Sequence, residues 1–383
     1  MNRNTLLLGA AVVFLALGWY LSRDNAGSSA DHQDQPLLPA VAADVNQVSG
    51  FTLSQAGGEV IADIDRVDDR WVVSSSSGYP ADVSKVRKFL LAIKDAQKRE
   101  ERTSKPEKYA EIGVDDPAGS DAKGALLTVK GVAEPNQLII GNFASGGGEY
   151  TYVRVVGEER SWLANGNLVP ERSVSNWLQR DILDVPSNRI ARVEITAPDG
   201  EKLAISKADE VAPNYEVENV PKGRELSSPS AGNILASALG SLQLEEVLPA
   251  ADAAPVEDAA FQIRYYTREG LTIDATTWMQ DEKHYARFVA AVDPDLVAAW
   301  STAEQARQAA AQPPAADESA DSDQPASESV VPDLATISAE QQSKMEAEAG
   351  QINAIASDWT FIIPSWKYAN MAKRMDELLA TKE

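Results

Sequence analysis

The sequence predicts an α+β protein: an N-terminal transmembrane helix followed by two repeated α+β domains with mainly antiparallel sheets. Three observations predict it. Residues Thr5 to Leu21, TLLLGAAVVFLALGWYL, carry no charge. The order strands–helix–strands–helix occurs twice in the remainder of the chain. The strand-like runs, YTYVRV and FQIRYY among them, alternate in the way antiparallel strands with one wet face do.

The apolar run comes first. Its seventeen residues would span about 25 Å as a helix, at the short end of what crosses a bilayer. Arg3 precedes it and favours a cytoplasmic N-terminus, while Trp19 and Tyr20 fall where an aromatic belt would sit. A cleaved signal peptide with AGSSA (Ala26 to Ala30) as its small-residue region is the competing reading. The aromatic pair and Arg23 favour an anchor, and both readings export the rest of the chain. The expectation is therefore a single pass of the bacterial inner membrane through residues 5–21, with the bulk of the chain in the periplasm. Residues 24–44, small, polar and proline-interrupted, read as a flexible tether.

The repeat follows. VSGFTLSQAGGEVIADIDRVDDRWVV aligns with IARVEITAPDGEKLAISKADEVAPNYEV, each a strand, a glycine turn, a strand, an acidic turn and a strand. Turns at AGGE and PDGE supply the positive φ that tight hairpins need, and Trp71 and Tyr215 occupy matching places. A helix comes next in each copy. In the first, Asp82 marks the start and Val83, Val86, Phe89, Leu90 and Ile93 make an apolar stripe. In the second, Ser228 is the expected N-cap before Pro229, with a stripe of Ile234, Leu235, Ala238, Leu239 and Leu242. Further strands follow, and each copy closes on a tryptophan-bearing helix, VSNWLQRDIL and PSWKYANMAKRMDELL. In the latter, Trp366, Ala369, Ala372, Met375 and Leu379 fall on one side. Residues 301–350 hold ten acidic and two basic side chains. They read as an acidic low-complexity insert with helical flanks and a centre too polar to order. The expected divisions are 1–23 for the N-terminus and anchor, 24–44 for the tether, 45–185 for the first repeat, 186–300 plus 351–383 for the second, and 301–350 for the insert.

Composition excludes several classes. A net charge of −23 argues against nucleic acid, which needs a basic face, and disfavours peripheral attachment to anionic lipid. The absence of cysteine removes disulfides, thiolate nucleophiles, iron–sulfur clusters, sulfur-ligated zinc and a lipidated N-terminal cysteine.

RWVV…GYPADVSKVRKFLLAI, then KYAEIGVDDP, LIIGN and YVRV, with the closing DWTFIIPSWKYANMAKRMDELL, resembles the bacterial family known as domain of unknown function 4340. The order of these motifs carries the likeness, over about residues 45–380 without the insert. The resemblance implies a membrane-spanning start and an association with auxiliary extracytoplasmic parts of ABC transporters of the gliding-motility type. It implies no catalytic residues.

Candidate chemistry is sparse. The two histidines, His32 and His284, lack partners at metal-ligand spacing. SSSSG (Ser74 to Gly78) has no strained nucleophile elbow around it. IIGNFASGGGEY lacks the Walker lysine and is followed by a strand, so it reads as a hairpin loop. The doublets Asp68–Asp69, Asp115–Asp116, Glu158–Glu159 and Glu245–Glu246 offer carboxylates for acid–base work but read as solvated turns and ends. Trp71, Trp162, Trp177, Trp278, Trp359 and Trp366 read as core. No catalytic, cofactor-binding or metal-ligating residue is assigned, and no cofactor is expected. The expected function is a non-catalytic, membrane-anchored periplasmic binding or scaffold module, an accessory of an ABC transporter permease or another membrane complex. An envelope polysaccharide or peptidoglycan hydrolase using a carboxylate pair, and a solute-binding protein, are the alternatives.

Overall fold

The computed structural model describes residues 34–145, 148–311 and 332–381. The anchor expected at Thr5–Leu21, the first part of the tether and the centre of the acidic insert lie outside the described residues. Among the described residues no helix is long and apolar enough to cross a membrane. The chain divides into two compact units, residues 1–179 and 180–383. Both are mixed α+β with antiparallel strand pairing.

In the first unit α1 (Pro39–Ala43) leads into β1 (Gly50–Ser54), β2 (Val60–Val67), β3 (Arg70–Val73) and β4 (Tyr79–Pro80). Then come α2 (Val83–Asp95), β5 (Lys98–Glu101), α3 (Tyr109–Ile112), β6 (Ala125–Lys130), β7 (Gln137–Ser145), β8 (Glu149–Val155) and β9 (Ser161–Asn165). They build one sheet in the order β4-β3-β2-β1-β6-β7-β8-β9-β5. Phe51, Leu53, Ile64, Leu127 and Val129 alternate onto one buried face. Helix α2 supplies Val86, Phe89, Leu90 and Ile93 to the core. Phe51, Phe89 and Trp177 meet there with ring centroids 5.4–5.5 Å apart. Asp82 caps α2 by accepting from the Lys85 N–H at 3.1 Å. Val83, expected in the stripe, stays 44% exposed. On the opposite, open face Lys130 bridges Asp63 (2.5 Å) and Asp65 (2.8 Å).

Residues 34–44, expected as tether, are an ordered part of this unit. The Asp34 N–H donates to the Lys98 carbonyl at 2.8 Å and the Leu37 N–H to the Ala96 carbonyl at 3.1 Å. Leu37, Leu38 and Val41 are buried. Three apolar side chains in a polar stretch suffice to dock it, and the added backbone pairs cover the outer edge of β5.

The second unit contains β10 (Asp181–Leu183), β11 (Ile190–Thr196), β12 (Lys202–Ser206), β13 (Glu216–Val217), α4 (Asn233–Ala236), β14 (Leu242–Gln243) and β15 (Glu246–Pro249). It continues with β16 (Phe261–Thr267), β17 (Leu271–Gln280), β18 (Lys283–Val292), α5 (Pro294–Ala311), α6 (Leu334–Ala356), β19 (Trp359–Ile362) and α7 (Ser365–Met371). Its main sheet runs β13-β12-β11-β16-β17-β18-β19-β15, while β10 and β14 pair separately. The division falls at residue 180 rather than after Val185 because β10 pairs with β14 and Arg180 Nε donates to the Leu244 carbonyl.

Setting β1, β2, β3 against β11, β12, β13, and β5 through β9 against β15 through β19, gives one strand order for both main sheets; β4 and the separate β10–β14 pair lack counterparts. The α5–α6 insertion sits between β18 and β19, where residues 156–160 suffice between β8 and β9. Helix α6 buries Ile337, Gln341, Met345, Ala349, Ile352 and Ala356 at a spacing of three to four. Its Asn353 side chain accepts from the Ala290 N–H and donates to the Ala290 carbonyl, both at 2.8 Å. An amide thereby completes β18 where β19 no longer runs beside it.

Two expected helices of the second copy are shorter. Helix α4 begins at Asn233 with Gly232 at its N-cap, not at Ser228, whose hydroxyl meets Ser230 at 3.3 Å. Ser–Pro–Ser forms its own turn, so the stripe reduces to Leu235, with Ala238, Leu239 and Leu242 buried beyond the helix and Ile234 exposed. Helix α7 stops at Met371, and Met375–Leu378 is a separate 3-10 turn. Trp366 is 59% exposed, whereas Met375 and Leu379 are buried, so they do not share one face.

Candidate functional site

The site features read from the sequence resolve into structural roles. His32 lies outside the described residues. His284 opens β18 with its ring 4.7 Å from that of Tyr368. Among the described residues no group of His, Cys, Asp or Glu is placed to hold a metal ion. Ser74 donates to Asp65 at 2.6 Å and Ser75 Oγ accepts from the Asp63 N–H at 3.2 Å, which ties the serine run to the β2 edge. The glycine loop joins β7 to β8, which pair antiparallel. Residues 146–147 of that loop lie outside the described residues.

One acid of each doublet is engaged, while Asp115 Oδ1 is buried without a hydrogen-bond partner among the described residues. Asp69 pairs with Arg66 at 2.7 Å in the β2–β3 turn. Asp116 accepts from the Ala118 N–H at 3.0 Å. Glu246 pairs with Lys283 at 2.7 Å. Glu158 holds the buried Lys98 ammonium at 3.1 Å through both oxygens and accepts from Trp162 Nε1 at 3.3 Å. These last residues, with Glu101, Ser104, Glu159 and Arg160, line a charged cleft of about 490 Å³ in the first unit. Arg160 there is bound to Glu101. The carboxylates whose acidity is displaced are held in their ionised form, the opposite of what a general acid needs. Burial raises Asp65 and Glu194, but Lys130 and Arg192 reverse this and hold both below the ordinary range.

Helix α2 carries the second constellation. On one side a cleft of about 310 Å³ has an apolar floor of Val45, Val48, Trp71 and Leu90 and is rimmed by Arg66 and Arg87. On the other a cleft of about 540 Å³ has Phe89, Ala92, Val169 and Trp177 as floor and Lys85 and Lys88 at its edge. Trp71, expected as core, is half-buried at the first of these, whereas Trp162, Trp177 and Trp278 are buried.

One feature is repeated between units and escaped the sequence reading. Arg154 on β8 donates from Nε to the Val114 carbonyl at 3.0 Å, and its guanidinium lies 4.6 Å from the Tyr109 ring centroid. Arg287 occupies the same place on β18. It donates to Thr360 Oγ1 at 2.8 Å, to the Ala253 carbonyl at 2.6 Å and to the Ala250 carbonyl. Ser161 and Thr360, on β9 and β19, donate to the Thr103 and Ala253 carbonyls at 2.7 and 3.1 Å. In both units, then, an arginine and a hydroxyl pin a covering segment over one end of the open face. The signal in the sequence is Tyr–x–Arg, at Tyr152 to Arg154 and again at Tyr285 to Arg287.

No curated protein and no solved structure matches the chain. A family model, the domain of unknown function DUF4340, matches residues 71–262, from β3 of the first unit into β16 of the second. That stretch is half of the 383 residues and includes Arg154 and Ser161 of the first unit, so the chain belongs to the DUF4340 family.

Proposed function

We propose that this chain is a membrane-anchored periplasmic binding or scaffold module of the bacterial envelope, an accessory of an ABC transporter or of another membrane complex. One observation carries the reading: the chain enters its first unit by pairing along β5 from Asp34 onward. Only residues 22–33 separate that entry from the apolar run at Thr5–Leu21. Twelve residues reach at most about 40 Å when extended. An anchor in that run holds the first unit close to the bilayer, which raises its effective concentration near membrane partners.

Crosslinking of the intact membrane-embedded protein, followed by identification of what co-purifies, tests the partner; the absence of an ABC permease removes it. A periplasm-active reporter fused after Glu383 tests the topology, and an inactive fusion reverses it. Replacing each acidic doublet by amides and assaying complementation of a deletion tests the hydrolase alternative. Loss of complementation at a single doublet with the fold intact would establish the enzyme instead.

A further inference from the structure

We infer that the outward face of α2 is a docking surface for an anionic lipid bilayer, an inference that rests on the anchored reading above. The chain as a whole is strongly acidic, but residues 85–108 reverse the sign, with nine basic and four acidic side chains. Much of the basic charge on β5 is consumed locally: Lys98 pairs with Glu158 and Arg99 with Asp34. On α2 it is not. Arg87 and Lys88 are exposed and, among the described residues, have no side-chain hydrogen bond or ion pair. Val83 and Leu91 flank them at 44% and 42% exposure, above the two apolar-floored clefts.

Cations beside exposed aliphatic side chains are the composition of an interfacial surface, where the cations meet phosphate and the aliphatics enter the headgroup boundary. Glu149 and Glu171 line the wider cleft beside Lys85 and Lys88, so the attraction is strongest on the Arg87 side, whose cleft is lined by no acid; acids farther than about 10 Å are screened at ordinary ionic strength. Placement decides between lipid and a protein partner. The incoming segment pairs with Ala96, the residue that ends α2. From there the helix extends about 20 Å, inside the roughly 40 Å that the twelve connecting residues allow. Its whole outward face is therefore within reach of the surface that the anchor enters.

Because the chain has no cysteine, Ser84→Cys creates a unique labelling site on this exposed face. The full-length labelled chain is reconstituted into phosphatidylcholine vesicles, with or without phosphatidylglycerol, carrying a lipid-borne quencher. The inference expects quenching when phosphatidylglycerol is present, falling to the neutral-vesicle level at high salt and in Arg87→Glu/Lys88→Glu. Equal quenching in both vesicle types, or quenching that the double reversal leaves unchanged, overturns it. So does the absence of lipid quenching alongside a crosslink from the Ser84→Cys position to a co-purifying envelope protein. Flotation with neutral vesicles reports the anchor alone. A chain that fails to float sinks the anchored reading, and binding of that chain to phosphatidylglycerol vesicles then decides the α2 face. A loss of at least about twenty-five-fold in the double reversal, about fivefold for each cation removed, supports it, and no binding overturns it.

Discussion

Replacing Arg287 by methionine should destabilise the second unit more than any comparable change at Arg154 destabilises the first. Arg287 donates to two backbone carbonyls and one hydroxyl, none of which has another basic partner on the covering segment. Among the described residues no carboxylate pairs with it, and burial holds its pKa below the ordinary arginine value. Methionine keeps the stem's packing but leaves the Ala250 carbonyl to find water and the Ala253 carbonyl with Thr360 alone. At about 1 kcal/mol net per bond, the loss is about 3 kcal/mol. For a unit of this size that is a fall in melting midpoint of roughly 6–12 °C. Arg154 makes one well-formed bond, to Val114, and a ring contact with Tyr109. Arg154→Met should cost about 1.5–2 kcal/mol. Arg287→Lys, which lacks the planar fork, should recover less than half of the loss. Thermal melts of the full chain followed by tryptophan emission and by circular dichroism read both values. A shift under about 2 °C for Arg287→Met, or a larger loss for Arg154→Met, would refute the idea that these arginines pin the covering segments.

Gly141→Ala should disrupt the first unit's covering segment, since a Cβ there would stand 2.4 Å from the Ile112 carbonyl oxygen and 2.9 Å from that of Gly113; a loss of about 1–3 kcal/mol in urea unfolding is expected. Burial pushes Asp65 up, but hydrogen bonds from Lys130 and Ser74 leave it below its ordinary 3.8. Its contribution is therefore present above that value and disappears as pH falls through the lowered one. Lys130→Met should remove that acid-side dependence from the urea midpoint. Lys367 is 3% exposed and donates to the Ala238 carbonyl at 3.0 Å and to the Gly240 carbonyl. Burial lowers its pKa from 10.5, so the folded state sheds this proton first, and stability relative to Lys367→Met should rise as pH climbs from the lowered value towards 10.5. A flat difference across that window would remove the buried charge from the account.

The sequence shows most plainly what is written in local terms. Asp82 and the Val86-to-Ile93 spacing announce α2, and the AGGE and PDGE turns announce paired hairpins. The second copy's helices are less legible because composition does not reveal where a turn interrupts an apolar stripe; Ser228–Pro229–Ser230 and the break after Met371 both do so. The docking of residues 34–44 depends on three buried side chains meeting a partner more than forty residues away, and a polar average hides them. The arginine pins are hidden for a different reason. Their acceptors are backbone carbonyls at Val114, Ala250 and Ala253, and a carbonyl is the same at every position.

The Asn353 amide that completes β18 makes the long excursion between β18 and β19 separable from the ladder it interrupts. Adding sequence at that hairpin of the second unit requires no recutting of strand register. Helix α6 belongs to the body of the unit through its six buried side chains, so foreign sequence is best inserted between α5 and α6, where lengthening a connection costs about 0.6 kcal/mol per doubling.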